Sequence, residues 1–596
     1  MNETTREEID ERYRWDLSGI YRDDESFLEA LEAARSYPER VLAFKDTIAQ
    51  SPEALLAYLR LNDEIGIELV KLVNYADRKS DEDTRLSLYQ DYSNRAMSLY
   101  ISIASASAWF TSELLTIDEA TMTRFYETCP ELELYRRNLD KIFAKRDHTL
   151  SPAEEKLLAD AEEMATQPGN IFSLLNDADL VFPDAHDEEG TPHALTHGSY
   201  IPLMMSQDRT LRTSAFKTLY ATYSQFRNTF AATLGAQTKQ LKFFADARNH
   251  PSTLAYALAE NEVPVEVYTN LIEAVHHNLP ALHKYVHMRK ALLGMDELHP
   301  YDLYTPLVDD VEMRFTYEEA CDIILEALAP LGEDYQALVR KGIEQRWVDV
   351  YENPGKRSGA YSAGGFGMNP VILLNFQGTL DDVYTLIHEM GHSIHTYLSC
   401  QTQPACYSDY VIFVAEVAST CNEALLTRYF LDRATDPRQR AFIINHFLEQ
   451  FRGTIYRQCM FAEFELIINE MTEQGESLTA DALCDRYRTL NERYFGDELV
   501  IDDELTMEWA RIPHFYYRYY VYQYATGFAA AIALSQRILT EDEAARDDYL
   551  AFLSGGSSKK PIDLLRGAGV DMADAHPIDE ALALFDRLID EMNELC

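Results

Sequence analysis

Hydrophobic residues recur with a helical period along most of the chain. Apolar positions three and four residues apart are typical of amphipathic helices. On this basis helices are predicted for residues 26–34, 52–75, 85–115, 151–164, 265–293, 317–331, 438–473 and 502–539. Only 24 glycines and 21 prolines interrupt the 596 residues, so we expect long helices to dominate the fold.

Two stretches depart from this helical pattern. Residues 180–202 combine turn residues with short alternating runs, which predicts a small hairpin or loop. Residues 357–376 are rich in glycine and end in an apolar β-branched run at 371–376, which is the best strand candidate in the chain. The expected fold is therefore mainly α with a small β element. The first stretch also predicts a junction between an N-terminal helical lobe, residues 1–200, and a second domain, residues 201–596.

The charge balance narrows the possible partners. The chain carries 53 Lys and Arg against 99 Asp and Glu, a formal net charge of −46. Binding to nucleic acid requires clustered cations, so this balance argues against it, and also against an anionic membrane surface. The oligomeric state is left open by the sequence.

The first residues of the chain and its cysteines indicate the cellular compartment. The first residues are charged and lack the apolar core of a signal peptide, and no window approaches 18 uninterrupted apolar residues. The eight cysteines are scattered and form no C-x-x-C pair, which indicates free thiols in a reducing cytoplasm. A cytoplasmic location is the expectation.

The strongest chemical signal is the segment HEMGH. His388 and His392 are four residues apart, so a helix places both imidazoles on one face where they can bind one Zn²⁺. Glu389 directly follows the first histidine and can reach a metal-bound water without binding the metal. Thr379 and Asp382 form a capping box that begins this helix. The segment therefore predicts a catalytic zinc site, one ion per chain.

Two histidines leave the coordination incomplete, because a catalytic zinc takes three protein ligands. His395 lies seven residues after His388, about 10 Å further along the helix axis, so a straight helix does not bring it to the same ion. Glu416 lies on a second predicted helix and is the preferred third ligand. Glu423, seven residues later on the same face, is a candidate to orient a ligand imidazole. His395 stays as the alternative ligand.

Several segments together resemble the M3 peptidases, the thimet oligopeptidase-like family, and within it the oligoendopeptidase F type. They are HEMGHSIH followed by EVAS, RYRWDLSGIY near Trp15, the stretch from GAYSAGG to the zinc helix, and WARIPHFYYRYYVYQYATG. The resemblance spans nearly the whole chain. It implies a two-lobed helical body enclosing a deep substrate channel, with the second domain as the catalytic zinc-peptidase domain. It also implies that His388, His392 and Glu416 bind zinc and that Glu389 is the general base.

The late aromatic segment holds six tyrosines and one histidine within residues 514–524. Tyrosine and histidine can donate hydrogen bonds to a developing oxyanion. The resemblance implies catalytic roles for His514 and for Tyr519, five residues on. The choice among Tyr517, Tyr520 and Tyr524 as substrate-binding residues stays open.

The glycine-rich stretch predicts how a peptide is held. Gly364 and Gly365 allow a close approach to substrate backbone, and residues 371–376 are interpreted as an exposed edge strand that pairs with an extended peptide. The predicted reaction is hydrolysis of internal bonds in short unfolded oligopeptides, with attack by a zinc-bound water and Glu389 as general base. The alternatives are a zinc carboxypeptidase or dipeptidyl carboxypeptidase, and a non-catalytic peptide-binding protein with a structural zinc.

Overall fold

The computed structural model describes residues 4–308, 313–541 and 543–596, without the side chain of Pro152. Within them the fold is mainly α, as predicted. The helices α1 to α26 are, in chain order, Asp24–Ala34, Tyr37–Leu42, Pro52–Glu82, Ser87–Ser107, Trp109–Leu114, Glu119–Thr128, Arg136–Phe143, Pro152–Ala165, Gln167–Ser173, His197–Met204, Arg209–Gln225, Arg227–Ala247, Thr253–Ala259, Val265–His277, Leu279–Leu292, Tyr317–Ala327, Glu333–Glu344, Leu380–Thr402, Ile412–Arg433, Pro437–Phe451, Arg457–Glu473, Ala480–Phe495, Tyr522–Thr540, Glu543–Leu553, Pro561–Gly567 and His576–Leu595.

The β structure is small, which confirms the prediction of a minor β element. The strands β1 to β5 are Ala185–His186, Pro192–His193, Val348–Asp349, Tyr361–Ala363 and Val371–Leu373. The first two form an antiparallel hairpin inside the predicted stretch 180–202. The other three form a sheet in the order β3-β5-β4, with β3 parallel and β4 antiparallel to β5.

The chain divides into two compact units, each assembled from three stretches. Unit 1 takes the described residues of Met1–Asp147, Met313–Tyr429 and Leu534–Gly569. Unit 2 takes those of His148–Glu312, Phe430–Ala533 and Val570–Cys596. Neither unit begins or ends near residue 200. The predicted functional division into residues 1–200 and 201–596 stays a prediction, as does the deep channel.

Unit 1 is built on a core of N-terminal helices. Phe27, Leu55 and Leu72 are fully buried there, and Val371 and Leu373 of β5 belong to the same cluster. The sheet is thereby fixed to the N-terminal helices on one side. In the described part of the chain, no helix is long and apolar enough to cross a membrane.

Several predicted elements differ from the structure. The predicted helix 85–115 is divided into Ser87–Ser107 and Trp109–Leu114, and the predicted helix 265–293 into Val265–His277 and Leu279–Leu292, the second of which has a proline in its first turn. Residues 502–539 do not form one helix: Asp503–Arg511 and Pro513–Tyr516 are 3-10 helices, and the α-helix begins only at Tyr522. Residues 371–376 are not an edge strand, because β5 is the central strand and its residues are buried. Its apolar β-branched composition suits a strand covered on both faces, and the two edge positions belong to β3 and β4.

Candidate metal centre and aromatic segment

The helix α18 presents the HEMGH segment. It begins as predicted, because Thr379 Oγ1 accepts a hydrogen bond from the Asp382 amide at 3.2 Å while the Asp382 carboxylate accepts the Thr379 amide at 2.8 Å. Its apolar side is completely buried; the residues on it are Leu386, Ile387, Met390 and Ile394. This burial fixes the rotation of the helix, so that His388 and His392 share its opposite side.

Three side chains from α18 and α19 converge on one point. The Nε2 atoms of His388 and His392 each lie 3.5 Å from Glu416 Oε2. One donor atom from each residue lies within 4.8 Å of the others. A tetrahedral zinc with bonds of about 2.0–2.2 Å keeps its ligands about 3.3–3.6 Å apart. The nitrogen and oxygen donors therefore fit zinc in both type and spacing.

A second layer of contacts orients these donors. Glu423 Oε1 hydrogen-bonds to His388 Nδ1, which leaves Nε2 directed toward Glu416. Ser419 donates from Oγ to Glu416 Oε2 at 3.1 Å. Burial lowers the pKa of His388, but the hydrogen bond and charge of Glu423 outweigh it and raise the pKa to about 9. Burial opposes ionisation of Glu416, yet the hydrogen bond and charge of His392 outweigh it and lower that pKa to about 2.

Glu389 is outside the three-donor group but next to it. Its side chain is largely buried, and burial raises its pKa above the usual value, partly offset by His388 and His392. The backbone of Ser362, in β4, faces the Glu389 carboxylate and lowers its pKa by less than the two histidines do. A carboxylate with a raised pKa is suited to accept a proton near neutral pH.

The Ser362 contact was not foreseen from the sequence, because it depends on which strand lies at the sheet edge. Ser362 and Ser393 also share a hydrogen bond between their hydroxyls at 2.8 Å, which holds β4 against α18.

His395 does not belong to the group of three donors. It is fully buried and its ring stacks on Tyr410, with centroids 3.7 Å apart and an interplanar angle of 9°. Its Nδ1 atom has no hydrogen-bond partner among the described residues. Burial lowers the pKa of His395 to about 3, so it is a neutral packing residue in this structure.

Gly391 explains how the two helices come close enough. A Cβ atom at this position would lie 2.7 Å from Ser419 Cα and 3.0 Å from the carbonyl oxygen of Ala418. Only glycine permits this approach of α18 to α19. Its place in the middle of a helix, where glycine costs about 1 kcal/mol relative to alanine, was the signal in the sequence that something packs there.

The glycines after β4 make similar close contacts. A Cβ at Gly365 would meet Val70 Cγ1 at 2.3 Å, and one at Gly364 would meet Thr396 Cγ2 at 3.0 Å. Both residues line a cavity of about 760 Å³ within unit 1, together with Ser362 and Tyr410. Space for a ligand therefore lies directly beside the edge strand β4. Ser362, whose backbone faces Glu389, is one of the residues that line it.

Unit 2 contains the aromatic segment. The rings of Tyr517, Tyr520 and Tyr524 lie with their centroids 5.6, 6.2 and 6.0 Å from that of His514. Burial lowers the pKa of His514, which keeps it neutral near pH 7. These four side chains, which we call the aromatic cluster, are brought together by the fold.

Tyr519 is placed differently from these four. Its side chain is buried, and its hydroxyl lies 2.9 Å from Thr253 Oγ1. Its predicted catalytic role stays a prediction, and this contact inside the protein does not favour it.

Comparisons with known proteins agree with the resemblance seen in the sequence. The family model "Peptidase family M3" matches residues 202–584, and "Oligopeptidase F" matches residues 113–182. "Oligopeptidase PepF" of Bacillus subtilis is 46% identical over 590 residues, covering 99% of this chain and 88% of that protein.

Two solved structures show the same fold. A putative peptidase from Chlamydophila abortus is 35% identical with a TM-score of 0.94 and complete coverage of both chains. Oligoendopeptidase-F from Enterococcus faecium is 38% identical with a TM-score of 0.74, covering 97% of this chain and 99% of that one.

Proposed function

The chain belongs to peptidase family M3 and is a metallo-endopeptidase acting on oligopeptides, and on that premise we propose that it uses zinc, with Glu389 as general base, to hydrolyse internal bonds of short unfolded peptides. The observation that carries this proposal is the grouping of His388, His392 and Glu416 with Glu389 beside it. Three protein ligands leave a position open for water or substrate, as in catalytic zinc sites, whereas structural sites are closed by four.

The metal and the protein have separate tasks. When bound, zinc acts as a Lewis acid that lowers the pKa of water from 15.7 toward about 7. The Glu389 carboxylate takes the proton from the attacking water and passes it to the nitrogen of the leaving amine. Its buried position supports this role, since the raised pKa brings the carboxyl group nearer to neutral pH.

The contacts around the donors keep them ready for the metal. Glu423 fixes the ring of His388 by accepting a hydrogen bond at Nδ1, and Ser419 restrains the Glu416 carboxylate. Such contacts typically contribute about 10- to 100-fold to metal affinity.

Peptide recognition is proposed at the edge strand β4. An extended peptide that pairs with Tyr361–Ala363 makes main-chain hydrogen bonds, which are tolerant of sequence. Gly364 and Gly365 continue this edge along the cavity. Most of the backbone of a folded protein is already hydrogen-bonded within its own structure, so unfolded peptides are the proposed substrates. A short peptide length is what the family resemblance implies.

The aromatic cluster is proposed to stabilise the tetrahedral oxyanion. Support comes from the family resemblance at His514 and from the grouping of its ring with three tyrosines. Removing one donor of this kind typically lowers turnover about 10²- to 10³-fold.

A cytoplasmic location is also proposed, since all eight cysteines are free thiols.

The test is cleavage of a fluorogenic peptide blocked at both ends. We expect hydrolysis that a chelator abolishes and stoichiometric zinc restores. A carboxypeptidase would need a free carboxyl terminus, so cleavage only after unblocking would replace the endopeptidase assignment. Binding without cleavage by zinc-replete protein would instead favour a structural zinc.

A further inference from the structure

The aromatic segment contains an unusual backbone turn. Arg518 and Tyr519 have φ values of 57° and 60°, two consecutive non-glycine residues in the left-handed region. This conformation is costly for residues with a Cβ atom and persists only where the surroundings enforce it. The turn lies between Tyr517 and Tyr520, two members of the aromatic cluster.

One buried carboxyl group holds the turn from within unit 2. Glu465 Oε1, on α21, accepts a hydrogen bond from the Tyr519 amide at 2.7 Å. The Glu465 side chain is 1% exposed. Its second oxygen has no hydrogen-bond partner among the described residues. Burial raises the pKa of Glu465 to about 8, so the group is mostly protonated at neutral pH.

Anchors on both sides leave only the tip of the segment exposed. The side chain of Tyr519 is fixed by Thr253, whose hydroxyl donates to Glu473 at 2.7 Å. On the other side, the ring of Tyr516 stacks on Phe172 with centroids 4.5 Å apart. Tyr517, between the two anchors, is 55% exposed. The turn at Arg518 and Tyr519 therefore sets the direction of the side chains of Tyr517 and Tyr520.

We infer that Glu465 is a positioning residue for catalysis, which holds the left-handed turn through the Tyr519 amide and so places the rings of Tyr517 and Tyr520 beside that of His514. This inference rests on the proposed function of the aromatic cluster. Glu465 does not touch the reacting atoms, and it acts on the oxyanion only through the backbone of the turn. A donor displaced by about 1 Å loses on the order of 10²-fold in rate, so a modest shift of the turn is sufficient.

Two variants of Glu465 and one control test the idea, with kcat, KM, zinc content and melting temperature measured for each. We expect Glu465→Ala to lower kcat about 10- to 100-fold with KM changed less than about 3-fold. Glu465→Gln should restore most of kcat, because its amide oxygen accepts the same hydrogen bond and the side chain is neutral. The control is Glu463→Ala on the same helix. Glu463 is also buried but bonds to His276, Arg493 and Tyr494, so this variant should lose stability and keep kcat.

A second pair of variants avoids the core altogether. Arg518→Pro cannot adopt a positive φ and should lower kcat as Glu465→Ala does, whereas Arg518→Gly removes the same side chain and should keep it. Wild-type kcat in Glu465→Ala or Arg518→Pro, or equal losses in Glu463→Ala and Glu465→Ala, would overturn the inference. Glu389→Gln, assayed in parallel, separates the two proposals: an active zinc-replete Glu389→Gln would overturn the proposed function itself.

Discussion

A Cβ atom at Gly391 would lie 2.7 Å from the Cα atom of Ser419, so the two helices that carry the metal donors touch backbone to backbone. Gly391 is placed between His388 and His392, and Ser419 lies between Glu416 and Glu423. The close approach of these two residues is what brings the carboxylates of one helix to the imidazoles of the other.

Enlarging Gly391 should therefore damage the metal site. Gly391→Ala forces α18 and α19 apart, and we expect zinc affinity to fall about 10- to 100-fold, as for other changes that misplace ligands. The overpacked contact should also cost about 1–3 kcal/mol of unfolding free energy. Competition with a chromophoric chelator measures the affinity.

Gly453→Ala is the matched control for Gly391→Ala, because a Cβ at this glycine, which lies in the π-helix Arg452–Tyr456, meets nothing within 4 Å. It should bind zinc as the wild type does. Wild-type zinc affinity in Gly391→Ala would show that the helix contact does not set the donor geometry.

The third ligand can be assigned by comparing two variants. Glu416→Ala removes a donor that lies 3.5 Å from both imidazole nitrogens, so zinc affinity should fall steeply. His395→Ala removes a stacked packing residue and should reduce stability by about 2–4 kcal/mol while zinc stays bound. Zinc titration of both variants measures the two affinities. A greater loss of zinc affinity in His395→Ala than in Glu416→Ala would identify His395 as the third zinc ligand.

Glu465 also predicts a dependence of stability on pH. Its pKa is raised by burial from 4.5 to about 8 in the folded protein. When the pKa of a group is higher in the folded than in the unfolded protein, the group contributes its full stabilisation of the folded state at pH values below the unfolded pKa. This contribution is lost as the pH rises through the folded pKa. This part of the stability should therefore fall between about pH 4.5 and about pH 8.

Comparing melting temperatures across pH 5 to 8 for wild type and Glu465→Gln isolates this contribution. As the pH rises from 5 to 8, the melting temperature of the wild type should fall by several degrees relative to that of Glu465→Gln. A loss of a few kcal/mol of stability produces about this change in a chain of this size. A difference that stays constant with pH would contradict a buried protonated carboxyl group at this position.

The zinc helix was predictable because its signals are local. Thr379 with Asp382 begins the helix, and the apolar residues at 386, 387, 390 and 394 have the period of a buried face. The rise of a straight helix argued against His395 as a ligand of the same ion. Glu416 was preferred because it lies on a second predicted helix with Glu423 on the same face, and the family resemblance implied the same ligand. Glu423 was predicted to orient a ligand imidazole because it lies on the same helix face as Glu416. Which of the two imidazoles it contacts depends on the distance between the two helices, which Gly391 sets.

The failures came where tertiary contacts override local preference. Residues 502–539 have helical composition, yet the buried Glu465 and Thr253 hold Tyr519 in a left-handed turn that stops the helix until Tyr522. The run at 371–376 was recognised as a strand but was taken for an edge strand, although its continuous apolar composition suits a strand covered on both faces. The edge strand, and with it the Ser362 contact to Glu389, appears only in the sheet order.

The central claim is that Glu389 moves the proton while His388, His392 and Glu416 hold the metal. The direct measurement is kcat of Glu389→Gln on an end-blocked peptide, with zinc content determined on the same sample. We predict one zinc per chain and a loss in kcat of at least about 10²-fold, the lower range for a general base. Turnover near the wild-type value in the zinc-replete variant would contradict the claim.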